Sequence, residues 1–253
     1  MKRRKLKKTV IAKFIIFVSL IGLGYSSYDI IKWKLYVKDN SLIKSQIDGK
    51  INIVKNDDTQ EVEYVVDFDD IKMRNSDAVA YLKVNSTNIE YIVVKGKDNK
   101  YYLNHNFDRK YNTGGWVFAD YHNRFDETDK NIVIYGHNTK DGSMFNTLKR
   151  VLVSDWYSNP DNYKVTLVTE QNTYYYEVFS TYTIPAEDYY INTIFPSDED
   201  FKSFIDTIKS RSVHDYGVEV NEADKVLTLS SCIGDNSKRV VLHAKLINKD
   251  KLE

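Results

Sequence analysis

Residues 226–247, VLTLSSCIGDNSKRVVLHAKLI, constrain the fold more than any other stretch, because two strand-like runs there enclose the single cysteine, Cys232. Side chains of a strand alternate between its two faces. In the first run Val226, Thr228, Ser230 and Cys232 therefore share one face, and Leu227, Leu229 and Ser231 the other. A polar hexapeptide follows. In the second run Val240, Leu242, Ala244 and Leu246 make an uninterrupted apolar face, which turns Arg239, Val241 and His243 away from the main core. Paired as a hairpin, the runs place Cys232 and Arg239 on either side of one loop, at the same sheet edge.

A lone cysteine is commonly a small buried hydrophobe. Cys232 differs in three respects: it ends a strand beside a polar loop, its face-mates Thr228 and Ser230 are hydroxylated, and a guanidinium lies seven residues on. A thiol with a pKa of about 8.5 needs a partner base to react at neutral pH. Of the five histidines, His137 has the matching position, at the end of the strand-like NIVIYGHN, where Val133, Tyr135 and His137 share one face and Ile132 and Ile134 the other. Set side by side and parallel, these strands bring His137 and Cys232 to one edge, with Tyr135 and Ser230 behind them as the floor of a groove. His105, His122 and His214 fall in loops or poorly patterned segments, and His243 falls in mid-strand; a histidine read alone is as readily a surface or structural residue. HExxH, paired cysteines and a DxDxDG loop are all missing from the sequence, so no metal and no cofactor is expected.

The 253 residues, 42% hydrophobic and 13% aromatic, are enough to bury a full core without disulfides. The formal charge of zero is unevenly spread. Residues 1–13 hold seven Lys or Arg and no acid; removing those seven from 36 leaves 29 bases against 36 acids. That acidic remainder is unlike a nucleic-acid-binding face. After the basic cluster an apolar run from Val10 to about Tyr25 is broken only by Lys13 and Ser19, and 10–31 reaches the length of a membrane-spanning helix if Lys13 snorkels. A cleaved signal peptide is the competing reading, but no small-x-small cleavage site follows the run. An uncleaved anchor then leaves the N-terminus cytoplasmic and everything beyond outside the cell membrane.

Three regions follow: a basic segment with its anchor, 1–31; a helical and connecting region, 32–77; and a catalytic domain, 78–253. The first region leads into a helix that continues with breaks to about Ile47, and 48–77 reads as a connector with short irregular structure. From Ala78 the pattern is β-rich: strands at 78–84, 89–95, 116–119 and 131–135, a short helix at 143–151, and a hairpin of 163–169 with 173–184. Phe201, Phe204, Ile205 and Ile208 fall at i, i+3, i+4 and i+7 behind a Ser197 cap and three acids, which predicts an amphipathic helix over 197–210.

Three motifs resemble those of the sortases. Thr228-Leu229-Ser230-Ser231-Cys232 is similar to the TLxTC signature, with Ser231 in place of threonine. Tyr135-Gly136-His137-Asn138 resembles the strand-end histidine motif, and Arg239, opening RVVLHA, resembles the catalytic arginine. The order His, Cys, Arg agrees, and the resemblance covers about 78–247. The N-terminal anchor, the helix inserted before the cysteine strand and the YYLNH stretch 101–105 are most similar to class B. The resemblance implies a mainly β fold with peripheral helices: a closed or nearly closed eight-stranded β-barrel, N-terminal helices, and the inserted helix. The calcium used by many class A members is not carried over.

What the resemblance implies for chemistry is a thioacyl mechanism. Cys232 attacks the threonine carbonyl of a C-terminal sorting motif, of Asn/Ser-Pro-x-Thr type by class, and the acyl group passes to an amine of peptidoglycan or its lipid-linked precursor. His137 carries the protons and Arg239 donates N–H groups to the peptide or the developing oxyanion. The connection 186–193, with Tyr190 and Ile191, forms one wall of the substrate groove and the loop with Asn99 and Leu103 the other; Tyr135, Ser230 and Ser231 complete the substrate-binding set. A cell-wall cysteine peptidase, an L,D-transpeptidase and a non-enzymatic anchored binding module remain as rivals, although the SHGC-R cluster of the L,D-transpeptidases is not matched by Ile233-Gly234-Asp235.

Overall fold

The structure, a computed structural model, describes residues 2–55, 62–233 and 237–252, with side chains of 10–54, 62–231 and 237–252. Helix α1 (Lys2–Asp48) is followed by strands β1 (Ile51–Lys55) and β2 (Val62–Val66), helix α2 (Phe68–Arg74), β3 (Ala78–Val84), β4 (Glu90–Val94), β5 (Phe118–Ala119) and β6 (Asn131–Gly136). Helix α3 (Ser154–Tyr157), β7 (Lys164–Val168), β8 (Asn172–Pro185), α4 (Asp198–Ser210), β9 (Val226–Ile233) and β10 (Lys238–Lys251) complete the chain. Strands β3 to β10 close into an eight-stranded barrel in the order β10-β8-β7-β3-β4-β5-β6-β9, and β9 pairs with β10 to complete the ring. Closure removes every free edge from the sheet.

Alternation decides which residues fill the barrel. Leu227 and Leu229 of β9, Val240 and Leu242 of β10, Ile134 of β6 and Leu82 of β3 all lie in the interior cluster, each at most 2% exposed. The opposite parity of β8, β9 and β10 is not left to solvent. Helix α4 lies over it, and Phe201, Phe204, Ile205 and Ile208 pack on Phe179, Tyr182, Val226 and Val241 in a second cluster. Each of these side chains contributes roughly 1.5–3 kcal/mol by leaving water. The expectation that Val241 and His243 turn away from the barrel interior holds, but both are fully buried because the inserted helix covers them. Its start is built as the sequence predicts: the Ser197 hydroxyl accepts from the Asp200 N–H at 3.1 Å, and Asp198, Glu199 and Asp200 occupy the first turn.

Three expectations are corrected. The N-terminal helix has no breaks between Lys2 and Asp48. The connector is more regular than its composition indicates: β1 and β2 pair antiparallel, and α2 is capped by Asp67, whose carboxylate accepts from the Asp70 N–H at 3.0 Å. The alternation of Ile51 and Ile53 opposite Val62, Tyr64 and Val66 provides the strand signal there. The strand expected at 116–119 shrinks to two residues, because Trp116 is drawn out of the ladder, its Nε1–H donating to the Ile92 carbonyl at 2.8 Å and its backbone N–H to that of Tyr102 at 3.0 Å.

One face of α1 explains how it docks. Asp29, Trp33, Tyr36, Asn40, Ile43 and Ile47 recur at intervals of four and three, which stacks them along a single stripe. Ile43 and Ile47 are buried against the barrel, and Asn40 Nδ2 donates to the Gly115 carbonyl at 3.2 Å. Asn112 Nδ2 returns bonds to Asn40 Oδ1 and the Tyr36 carbonyl, both at 3.0 Å. Further toward the N-terminus the side chains from Val10 to Leu35 are exposed, and this portion of α1 is long and apolar enough to cross a membrane.

Candidate active site

Register places the three sequence-selected positions together. β6 and β9 pair in parallel, with Tyr135 opposite Ser230 and Gly136 opposite Ser231, so His137 and Cys232 each lie one residue beyond the last pair. β9 and β10 pair antiparallel with Cys232 directly opposite Arg239. The backbone of Cys232 is described; its side chain, and residues 234–236 of the polar loop, lie outside the described part of the structure.

His137 is held from two sides. Its Nε2–H donates to the Leu103 carbonyl oxygen at 2.7 Å, and since a carbonyl only accepts, this nitrogen carries the proton and Nδ1 is the one left to exchange a proton. The residue before it is glycine for a steric reason. A Cβ on Gly136 would lie 2.5 Å from the Phe145 ring, which packs directly on that backbone. The loop beyond His137 is stiff: the Phe145 N–H returns to the His137 carbonyl at 2.9 Å, and Asn146 Nδ2 donates to Asn138 Oδ1 at 2.6 Å and the Thr139 carbonyl at 3.0 Å.

A cavity of about 240 Å³ opens at this edge, and its lining includes His137, Arg239, Asn99, Leu103, Tyr135, Tyr190, Ile191 and Ser230. Ser231 is not brought there: its parity turns it into the barrel, 2% exposed, with its hydroxyl lacking a hydrogen-bond partner. Tyr190 is more deeply set than an exposed groove residue. It is 2% exposed, and its hydroxyl meets Ser230 Oγ at 3.0 Å, tying the 3₁₀ turn Tyr189–Ile191 to the cysteine strand. Arg239 Nη1 donates to the Lys238 carbonyl at 3.0 Å. A larger cavity, about 720 Å³, lies between β2, β7, β8 and β10, but no histidine or cysteine lines it.

Sequence reasoning missed the group that fixes the cavity floor. Asp120, buried just after β5, accepts from Tyr135 Oη at 2.8 Å and from Asn99 Nδ2 at 2.6 Å, and pairs with His122 Nδ1 at 2.8 Å. Burial, reinforced by the Asp120 carboxylate, pushes the Tyr135 phenol far up, so it stays a donor. A strand of two residues has no alternation to betray such an aspartate. Glu187 and Asp188, within the connection expected to form one wall, also line the cavity. Among the described residues, no group of three or more His, Cys, Asp or Glu is arranged to hold a metal ion.

His243, set aside as a mid-strand residue, is the centre of a buried chain. Thr228 Oγ1 donates to Asn131 Oδ1 at 2.7 Å, so it must accept from His243 Nδ1–H at 2.8 Å, and His243 Nε2 then accepts from the Tyr182 hydroxyl at 2.8 Å. Asn131 Nδ2 ends the chain on the Asn192 carbonyl at 2.8 Å, the residue following the turn that carries Tyr190. Complete burial pushes the His243 pKa down to about 3, which keeps this imidazole neutral.

Known proteins resemble this arrangement. Residues 82–247 match the sortase domain family. A sortase B from Listeria monocytogenes is 37% identical over 187 residues, 71% of this chain and 74% of that protein. A crystal structure of sortase B from B. anthracis superposes with a TM-score of 0.72 at 30% identity, covering 85% of this chain and 99% of that one. A sortase B–substrate complex from Staphylococcus aureus gives a TM-score of 0.67 at 33% identity, covering 72% of this chain and 84% of that one. With about two thirds of its length matching the sortase domain and the eight-stranded barrel shared with these structures, the chain belongs to the sortase family and, within it, to the class B cysteine transpeptidases.

Proposed function

We propose that this transpeptidase is held in the cell membrane by the apolar part of α1, N-terminus inside, and joins surface proteins with a C-terminal sorting motif to a cell-wall amine. The Cys232 thiolate adds to the carbonyl carbon of the motif's threonine, the C–N bond breaks, and His137 gives its proton to the leaving amine. An incoming amine then attacks the thioester, returns a proton to His137 and releases the thiolate. Arg239, opposite Cys232 in the ladder, donates N–H groups to the oxyanion or the bound peptide, a function for which lysine lacks the planar fork. Asn99, Leu103, Tyr135, Tyr190, Ile191 and Ser230 bind the peptide, of Asn/Ser-Pro-x-Thr type by class.

The observation that carries the reading is the double pairing of β9, parallel to the histidine strand and antiparallel to the arginine strand, beside one cavity. Mass spectrometry of the protein incubated with sorting peptides tests it. The expected result is an acyl adduct on Cys232 that disappears when an amine is added; a Cys232→Ala variant that still transfers peptide would refute it.

A further inference from the structure

A second cavity, about 520 Å³, adjoins the first, and His137 lines both. Its other walls are Asp29 and Trp33 of α1, Thr113 of the loop under that helix, and Asn138 and Lys140 of the stiff loop after β6. We propose that this cavity receives the primary-amine acceptor, with the Asp29 carboxylate and the Trp33 ring recognising its ammonium group. The proposal deepens the transpeptidase reading and rests on it.

Three observations converge. In acyl transfer one proton carrier must serve two amines in turn, the one leaving with the peptide's C-terminal part and the one arriving. The arriving amine needs its own approach while the acyl peptide fills the first cavity. An imidazole shared by two cavities meets that requirement, and among the described residues the two linings have His137 alone in common. The lining offers groups suited to a peptide amine: Asp29 supplies a carboxylate for an ammonium, Trp33 an aromatic face for a cation, Thr113 and Asn138 amide-binding groups, and Lys140 a cation for the acceptor's carbonyl oxygens. The volume lies within the range of sites for small molecules and short peptides.

The third observation concerns α1. Asp29 and Trp33 begin the stripe that docks the helix through Asn40, Ile43 and Ile47, yet instead of packing they stand off the domain, Trp33 being 39% exposed. They also sit where the apolar run ends, so an acceptor carried on a lipid reaches this cavity directly from the bilayer surface. In the transfer step the bound ammonium first loses one proton to water; the neutral amine nitrogen then attacks the thioester carbon, the C–N bond forms, the C–S bond breaks with its electron pair going to sulfur, and the second proton passes to neutral His137.

The test uses the full chain in detergent, a sorting peptide, and triglycine as the acceptor. Asp29→Asn and Trp33→Ala are expected to leave thioacyl formation and peptide cleavage unchanged, while the triglycine concentration for half-maximal amide product rises about tenfold. Unchanged half-saturation in both variants would overturn the proposal. Independently of turnover, triglycine carrying a diazirine should label residues 29–33 or 138–140 on illumination; labelling confined to 186–191 would also overturn it. Failure of the unmodified chain to cleave any sorting peptide counts instead against the transpeptidase reading, and the labelling pattern still decides the cavity.

Discussion

Gly115 lies under the Leu103 carbonyl, the acceptor for His137, so closely that a Cβ on it would come within 2.8 Å of that oxygen and 2.4 Å of the Tyr102 carbonyl. Its φ of +58° is also one that side chains resist. Gly115→Ala is therefore expected to push the Leu103 loop outward and release the imidazole. Stability should fall by about 1–3 kcal/mol, and transfer should fall further than the loss of folded protein explains. Denaturant melts beside transfer rates under folding conditions decide it; a loss of rate that merely follows unfolding contradicts the link.

Leu103→Ala and Tyr190→Phe separate peptide binding from thiol reactivity. Leu103 is 40% exposed, so its truncation costs little stability, and its carbonyl still holds His137. Tyr190 is buried among the aromatic residues beneath α4, which makes phenylalanine the informative change: it keeps the packing and removes the hydroxyl that meets Ser230. Both variants should lower turnover of a sorting peptide about tenfold, in the range of one lost contact in a pocket. Alkylation of Cys232 by a small reagent should keep its rate. Parallel losses in both assays would place these residues with the thiol's activation instead.

His243 makes a pH prediction. Its pKa is about 3 when folded against an ordinary 6.5, so between those values the unfolded chain binds more protons. Its stabilising contribution is complete above pH 6.5 and declines as the pH falls toward 3, at up to about 1.4 kcal/mol per unit. His243→Gln, which retains one donor and one acceptor but cannot titrate, should be less stable at pH 7 by roughly 1–3 kcal/mol and show a shallower acid limb. Urea melts between pH 4 and 8 measure both slopes, and equal slopes would remove His243 as a source of acid sensitivity.

Shortening α1 has two distinct outcomes. A chain beginning at residue 26 keeps the docking contacts of Asn40, Ile43 and Ile47, and should be soluble and as stable as the whole domain. A chain beginning at residue 49 also loses Ile43, Ile47 and the Asn40 bonds to the loop under His137, at a cost of roughly 3–6 kcal/mol. Thermal melts of the two chains give the comparison; equal midpoints would mean that the docked half of α1 contributes nothing to the fold.

The parts legible in the sequence were those that alternation or helical spacing reports. The faces of β9 and β10 and the α4 stripe follow from side-chain period, which is local; the parallel placement of the histidine strand was a supposition that the register matches. Depth was not legible: Tyr190 and His243 look like ordinary strand and loop residues until the inserted helix covers them. Nor was the Asp120 hub, whose partners Asn99, His122 and Tyr135 come from three segments that only barrel closure assembles. The β1–β2 pair was obscured because each strand has only five residues, too few for a clear alternation.

The parallel pairing of β6 with β9 has a consequence for the order in which the site is assembled. Parallel neighbours cannot be joined by a tight turn, and here roughly a hundred residues, including β7, β8 and α4, lie between the histidine and the cysteine. The strand bearing Arg239 is the last of the described strands and is wedged between β8 and β9. A chain made from its N-terminus therefore presents His137 early, Cys232 late and Arg239 after it. The three positions therefore share one edge only once β10 has closed the ring between β8 and β9.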